Sequence, residues 1–301
     1  HMDRLMTKRE NLLPQNLWTG TGNGIWNRMV RHGVRRAGGF VTGHAHGAGA
    51  GYRIEDNEPL LDYDACDKFI TYADGQVQGL HRNVQKDFML QQELPEIVSF
   101  SQIFSQSDKK VPRNGLNESL LPRKTGTPAP VNGQERKVLY VASGLDGELV
   151  RSYPSLPDPV AMDWQVRLFS HLKKWGCEVF NKPHPKAGPS AEILDRVLGV
   201  KSVAGKLEEV IHGYDIIVFD RPLSTCVYTE FASDRPLVFI DLQMVKLDPV
   251  AVEMMKRRSA VVRGWFDASN RVQIKWNELR EALDIAPNLM GREFYEAFLH
   301  F

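Results

Sequence analysis

Two apolar runs decide the fold of this chain: DIIVFD at positions 215–220 and PLVFID at positions 236–241. Each run is apolar at all four positions between its first and last residues, which is typical of a strand buried on both faces in a parallel sheet. The segment between them opens with Arg221-Pro222 and continues as a helix that contains Glu230. This alternation of strand, helix and strand predicts a doubly wound α/β fold.

The residues upstream repeat the pattern. KVLYVA at 137–142 predicts a buried strand, an amphipathic helix is expected from about Asp163 to Trp175, and EVFNKPHPK at 178–186 begins as another strand. Ligands of doubly wound sheets bind outside the carboxyl ends of the strands. The candidate site residues in this half therefore follow strands: Asp146, Glu148, Lys182, His184, Asp220, Ser224 and Thr225.

The second of these strands breaks at Pro183 and Pro185, which cannot continue a hydrogen-bonded ladder. His184 stands between the two prolines, with Lys182 and Lys186 on either side. A backbone stiffened by proline and flanked by ammonium groups suits a phosphate or a developing anion. A proline-rich surface turn with solvated lysines is the alternative interpretation.

The first half carries two glycine-rich stretches. TGTGNG at 19–24 precedes a helical pattern but lacks the GxGxxG spacing, so Gly22 and Gly24 indicate a loop for close backbone approach and not a dinucleotide site. The strand FVT at 40–42 runs into GHAHGAGAG at 43–51. Two histidines at this spacing without a third ligand do not predict a metal site, whereas His44 or His46 suits a general base or a phosphate contact.

Composition limits the function classes. The 301 residues carry a formal net charge of +1, so no overall field recruits nucleic acid. Three widely spaced cysteines form neither a metal motif nor a disulfide framework, and no apolar run is long enough to span a membrane. We expect a cytoplasmic protein. The arginine run at 28–36 indicates a solvated helix face or contact with lipid head groups, which would place the protein at the inner face of the membrane.

Composition also predicts the domain organisation. We expect an N-terminal acceptor-side α/β domain at 1–104 that is short for a complete Rossmann-like domain. The proline-rich residues 105–136 form a linker or mobile loop. A nucleotide-donor Rossmann-like domain follows at 137–262, and C-terminal helices at 263–301 pack back. One of these helices begins in the region 267–270 and includes residues 272–283, and an aromatic-rich terminal helix spans residues 292–301.

Three features in this order resemble the GT-B-fold transferases that build bacterial surface polymers: Lys182-Pro183-His184-Pro185, a strand ending in Asp220 before Ser224-Thr225 and Glu230, and the strand beginning at Pro236. Kdo transferases of capsule and lipopolysaccharide assembly are similar, and so are CDP-glycerol glycerophosphotransferases. His46-Gly47 and CDKFIT at 66–71 look like first-half motifs of the latter family.

The resemblance implies a GT-B fold with two Rossmann-like domains facing across a cleft. It further implies that His184 and Lys182 contact the donor phosphate, that Ser224 and Thr225 bind phosphate or nucleotide, and that Glu230 holds the ribose. Asp146-Gly147 looks like the loop that carries a catalytic carboxylate in Kdo transferases and sialyltransferases.

The resulting prediction is a metal-independent glycosyltransferase without a cofactor, which moves a sugar from a CMP- or CDP-linked donor to a surface-glycan acceptor. Asp146 would act as base or nucleophile, with Glu148 in the same loop, or His46 would act as base. One alternative is polyol-phosphate transfer of the CDP-glycerol type, with His46 deprotonating the acceptor. The other is a non-catalytic nucleotide-sugar or glycan-binding module.

Overall fold

A computed structural model describes residues 13–20, 25–45, 47, 49–54, 65–83, 94–105, 135–142, 156–183 and 196–300. The chain divides into two compact units. Unit 1 comprises His1–Pro112 together with the short returning segments Lys246–Asp248 and Glu296–Phe301. Unit 2 comprises Arg113–Val245 and Pro249–Tyr295.

Unit 1 is built on a parallel sheet of four strands in the order β1-β2-β3-β4. Its elements are β1 (Asn16–Thr19), α1 (Ile25–Arg36), β2 (Phe40–His44), β3 (Lys68–Thr71), α2 (Asp74–Asn83), β4 (Glu96–Ser99) and α3 (Phe100–Ser105).

Both longer helices of unit 1 pack on one face of this sheet. Val34 of α1 packs with Val41 and Leu17, and Val77 of α2 packs with Phe69 and Ile97. The register places these strand residues on the same face of the sheet, in two adjacent rows of side chains. Strands added in one direction by right-handed crossovers put their helices on the same side, which explains the arrangement.

Unit 2 is built on a seven-stranded sheet in the order β11-β10-β9-β8-β5-β6-β7. The strands are β5 (Arg136–Val141), β6 (Cys177–Lys182), β7 (Lys201–Ser202), β8 (Ile216–Phe219), β9 (Leu237–Asp241), β10 (Ser259–Phe266) and β11 (Val272–Ile274). All are parallel except β11, which pairs antiparallel with β10. Counted from β5, the parallel strands follow the order 3-2-1-4-5-6 of Rossmann-like domains.

Helices cover both faces of this second sheet. They are α4 (Asp158–Lys174), α5 (Leu207–Val210) with a 3₁₀ turn at Ile211–Gly213, α6 (Cys226–Ala232), α7 (Pro249–Lys256), and α8 (Trp276–Ile285) with a 3₁₀ turn at Ala286–Asn288. Leu168 of α4 and Leu279 of α8 belong to one core with Val218 of β8. Phe231 of α6 packs on Phe219, which points to the opposite face.

The structure corrects three expectations about elements. The strand β1 was not predicted, because its four residues alternate between exposed and half-buried positions and carry little apolar signal. The helix expected to begin at residues 267–270 is wrong at its start: Val272 and Ile274 are buried in β11, and α8 begins at Trp276. The terminal helix is shorter than expected, a π-helix at Tyr295–Leu299.

The predicted fold class is confirmed: the chain is α/β, with two Rossmann-like units that each contain a parallel sheet. Of the helices that the structure describes, none combines the length and the apolar character needed to cross a bilayer.

Candidate functional site

The strand order of unit 2 creates a crevice between β5 and β8. From β5 the chain adds β6 and β7 on one side, and it then returns to add β8, β9 and β10 on the other. The loops after β5 and β8 therefore diverge, and ligands of such sheets bind at this point. The register places Val141, Lys182 and Phe219 side by side where their strands end.

Asp220 follows β8 directly and is 5% exposed. Its Oδ2 accepts hydrogen bonds from the Tyr140 hydroxyl at 2.5 Å and from Trp164 Nε1 at 2.9 Å. Burial, followed by the nearby Asp220 carboxylate, raises the pKa of Tyr140 well above its usual value, so the phenol stays a donor. Asp220, predicted to contact the donor, thus also ties the end of β8 to β5 and α4.

Glu230 lies in α6 and is 1% exposed. Its Oε2 has no hydrogen-bond partner among the described residues. Burial raises the pKa of Glu230 well above its usual value, and the negative charge of Asp220 raises it further. A buried carboxyl in this state can donate or accept a hydrogen bond, as the hydroxyl groups of a ligand require.

Lys182, the last residue of β6, is 8% exposed, a low value for a lysine. Its positive charge acts on the Cys226 thiol at the start of α6, although burial and the charge of Glu230 dominate and raise the pKa of this thiol. Lys182 and Glu230 therefore both lie within electrostatic range of Cys226. A cation, a thiol and a carboxyl converge beside the crevice.

Ser224 and Thr225 form the turn before α6. Ser224 Oγ accepts a hydrogen bond from the Cys226 amide at 3.3 Å, so this hydroxyl already helps to begin the helix. Thr225 is the exposed N-terminal cap residue and makes no capping hydrogen bond with its side chain. Because α6 has only seven residues, its dipole gives little support to anion binding here, and the phosphate role of these two residues stays a prediction.

In unit 1, His44 ends β2 at the corresponding edge of the first sheet. Its Nδ1 lies 3.1 Å from the Ala45 carbonyl oxygen, and its ring centroid lies 6.4 Å from that of Trp18. A Cβ on Gly20 would lie 3.3 Å from the His44 ring, so the backbone of the glycine-rich turn approaches this histidine closely.

One glycine of the second glycine-rich stretch has a packing role. Gly51 has φ +79°, and a Cβ on Gly79 of α2 would lie 1.7 Å from the Gly51 carbonyl oxygen. The glycine-rich stretch was predicted to let the backbone approach another group closely. At Gly51 that group is the helix α2 of the same unit.

Several predicted site residues lie outside the described part of the chain: Gly22, Gly24, His46, Asp146, Glu148 and His184. Their roles stay predictions. Within the described residues, no three side chains of the kinds that bind metals gather around one point.

Sequence reasoning missed four buried or hydrogen-bonded residues around these strand ends: Tyr140, Trp164, Asn181 and Glu208. Asn181 precedes Lys182, is 1% exposed, and has an Oδ1 without a partner among the described residues. Glu208 of α5 accepts a hydrogen bond from Thr229 of α6 at 3.0 Å. Asn181 could have been noticed as a polar residue that directly follows the apolar residues of β6. No local sequence pattern indicates the other three residues.

Comparisons with known proteins give a limited result. No protein-family model matches the chain, and no curated protein matches it. Among solved structures, a Listeria monocytogenes protein assigned as a UDP-N-acetylglucosamine 2-epimerase aligns with 98% of this chain and 74% of its own, at 13% sequence identity and a TM-score of 0.48. A structural similarity this low gives no information about activity. Any inference about activity therefore depends on the residues of the site.

Proposed function

We propose that unit 2 binds a nucleotide-activated sugar at the crevice between β5 and β8, and that the chain transfers the sugar to a bacterial surface-glycan acceptor. The observation that carries the proposal is that Glu230 and Lys182 are both buried and that both act electrostatically on Cys226, at the end of the sheet where the strand order reverses. A carboxyl suits ribose hydroxyls, and a cation suits the phosphate.

The low exposure of these groups supports binding over a solvated surface role. Lys182 is 8% exposed and Glu230 is 1% exposed, and a charged or polar group is costly to bury without a partner. The Glu230 Oε2 and the Asn181 Oδ1 lack one among the described residues. A ligand hydroxyl or amino group would supply the hydrogen bond that Glu230 lacks.

The proposed reaction uses residues of the predicted set. The acceptor hydroxyl oxygen attacks the anomeric carbon, the bond from that carbon to the donor phosphate oxygen breaks, and the acceptor proton passes to Asp146 or His46. The phosphate that leaves gains negative charge, which Lys182 and His184 offset. The cytidine base and the identity of the sugar belong to this proposal.

A binding experiment tests the donor site. Thermal shifts and calorimetry with CMP, CDP, UDP and GDP should show stabilisation by a cytidine nucleotide, about 3 kcal/mol when the ligand is at a hundred times its Kd. Lys182→Gln should weaken binding about tenfold to a hundredfold, because a charge-assisted hydrogen bond is lost. Lys201→Gln is the matched control, since that lysine is mostly exposed on β7 of the same sheet. Equal nucleotide affinities of the two variants would show that the crevice is not the donor-binding site.

A second experiment tests transfer. With a CMP- or CDP-linked sugar and a glycan acceptor, His184→Ala should lose most turnover while the folded structure is retained. Asp146→Asn and His46→Ala then identify the base, because only the variant that lacks the base should be inactive. Tight nucleotide binding by the unmodified protein without transfer to any acceptor would contradict the catalytic part.

A further inference from the structure

One half of the unit 1 sheet leaves aromatic side chains in water. Side chains alternate along a strand, so Phe40, Thr42 and His44 of β2 share one face. The register places Trp18 of β1 beside Thr42 on that face, and α1 packs on the other. Trp18 is 62% exposed, Phe40 is 44% exposed and His44 is half-buried. We call Trp18, Phe40 and His44 the aromatic strip.

The strand order explains why this half of the face stays open. Strands that are added in one direction put both longer helices of unit 1 on the opposite face. Farther across the sheet the same face is closed, since Ile70 of β3, which the register places beside His44, is only 2% exposed. The open surface is therefore limited to β1 and β2, and a ligand on it would lie along these two strands.

Polar groups flank the aromatic strip on the same face. Asn16 is exposed beside Phe40, and Thr42 is half-buried between Phe40 and His44. The Nδ1 atom of His44 lies 3.1 Å from the Ala45 carbonyl oxygen. Because a carbonyl oxygen can only accept, Nδ1 carries the proton of the neutral ring and Nε2 is left as an acceptor. The strip thus combines flat apolar surfaces with hydrogen-bonding groups beside them.

The turn after β1 approaches the histidine end of the strip. A Cβ on Gly20 would lie 3.3 Å from Nε2 of His44, so the glycine leaves space beside this nitrogen that another residue would occupy. Arg31 of α1 is 1% exposed and donates to the Gly20 carbonyl oxygen, which ties the turn to the helix. The burial of Arg31 also corrects the expectation that the arginine run is a solvated helix face.

The charges on this face compensate each other. Besides His44, the charged side chains that the four described strands place on it are Lys68 of β3 and Glu96 of β4. These two form an ion pair at 3.3 Å. A phosphate or another anion needs cationic donors, which this pair does not offer. A neutral ligand that carries hydroxyl groups fits the face better.

We propose that the aromatic strip binds a neutral carbohydrate chain along β1 and β2. The C–H groups on one side of a pyranose ring pack on an aromatic ring, and the sugar hydroxyl groups hydrogen-bond to the polar side chains nearby. Phe40 and His44 are four residues apart, about 13 Å along a strand, which is longer than one sugar ring. Binding here goes beyond the transfer reaction and does not require the donor site. Only the identity of this chain as the acceptor glycan rests on the proposed function.

Calorimetry of the full chain with cellotetraose and chitotetraose tests the proposal. The protein should bind at least one of these neutral tetrasaccharides more tightly than glucose, and equally well at about 0.05 M and about 0.5 M salt, because no ion pair forms with the ligand. Trp18→Gln should weaken binding about tenfold, since a stacking surface is lost. His44→Phe keeps a ring but lacks Nε2, and it should weaken binding about fivefold.

Matched variants separate the aromatic strip from other surfaces. Trp26 is 66% exposed in α1, on the other side of the sheet, so Trp26→Gln should bind the tetrasaccharide as the wild type does. Lys182→Gln should lose nucleotide affinity alone and Trp18→Gln should lose tetrasaccharide affinity alone. A failure of the donor site is therefore distinguishable from a failure of the strip. Circular dichroism checks that every variant is folded, and Phe40→Ala replaces Trp18→Gln if the latter is not.

Three outcomes would overturn the proposal. The first is that the wild type binds neither tetrasaccharide. The second is equal tetrasaccharide binding by Trp18→Gln and Trp26→Gln. The third is a dimer, detected by analytical ultracentrifugation, that Trp18→Gln dissociates, because a second copy of the chain would then occupy the aromatic strip.

Discussion

The two parallel sheets of this chain differ in how their strands are ordered. Unit 1 adds its strands in one direction from β1 to β4, whereas unit 2 reverses after β7 and returns to the other side of β5. The first arrangement places both longer helices on one face of the sheet, and the second covers both faces. The reversal also separates two loops and opens a crevice, so a deep polar site is expected in unit 2.

The two sheets also differ in how deeply their strands are buried. β8 is buried at all four positions, whereas β1 alternates between exposed and half-buried residues. A strand covered on both faces needs apolar residues throughout, and a strand covered on one face does not. The comparison predicts that substitutions of similar size have very different effects in the two sheets.

The largest effect is expected from Phe219→Ala in β8. Phe219 is 1% exposed and stacks on Phe239 at 5.1 Å, so its removal leaves a cavity between the sheet and α6. We expect a loss of about 3–5 kcal/mol in the free energy of unfolding of unit 2, measured with denaturant. Phe40→Ala is the control, because Phe40 is 44% exposed in β2. Similar losses in the two variants would contradict the difference between the sheets.

Gly79→Ala tests the close packing inside unit 1. Helix propensity alone favours alanine by about 1 kcal/mol. The new Cβ would lie 1.7 Å from the Gly51 carbonyl oxygen, so we expect a net loss of about 3 kcal/mol. Gln78→Ala, at an exposed position of the same helix, should change stability very little. Hydrogen exchange of α2 amides measures the result, and protection that rises in Gly79→Ala would show that the contact is absent.

Glu230→Gln tests the buried carboxyl by pH. Burial and Asp220 raise the pKa of Glu230 in the folded state, so the unfolded state releases the proton first as the pH rises. The wild type therefore loses stability between the unfolded and the folded pKa, and the loss persists at higher pH. Glutamine has no such loss, so we expect Glu230→Gln to be more stable than the wild type once the pH has passed the folded pKa, by about 1.4 kcal/mol for each unit by which folding raises that pKa.

The pH profile of this difference is the measurement. Thermal unfolding of both proteins should coincide below the pKa of an unfolded glutamate and should separate as the pH rises. Glu281→Gln, at an exposed position of α8, should follow the wild type throughout. A constant offset at all pH values would show that packing, and not the proton, distinguishes Glu230 from glutamine.

The smallest effect is expected from Trp18→Gln. Trp18 is 62% exposed on the edge strand of unit 1, so its loss should change the free energy of unfolding by less than about 0.5 kcal/mol. Chemical unfolding of unit 1 provides the measurement. A loss of several kcal/mol would mean that this side chain is packed in solution and would contradict its exposure on the edge strand.

Much of unit 2 was predictable from its sequence. The runs that became β5, β8 and β9 are apolar at consecutive positions, and they are buried as expected. Lys182 was predicted as a site residue from its place beside Pro183-His184, and Glu230 from the resemblance. Both are buried, and their donor-binding roles stay predictions. Glu208 was not predicted, because its proximity to α6 depends on how α5 packs and leaves no local pattern. The strand β1 was missed because it is short and only one of its faces is covered.

The sequence by itself determined the class of fold, the positions of the main strands, and the edge of the sheet where polar residues gather. These follow from periodicity and from proline and glycine, which act over a few residues. Only the tertiary structure decided the strand order, the burial of Glu230 and Arg31, and the exposure of Trp18 and Trp26. These depend on which distant segments cover a residue, because the burial of a side chain is a property of its neighbours in space.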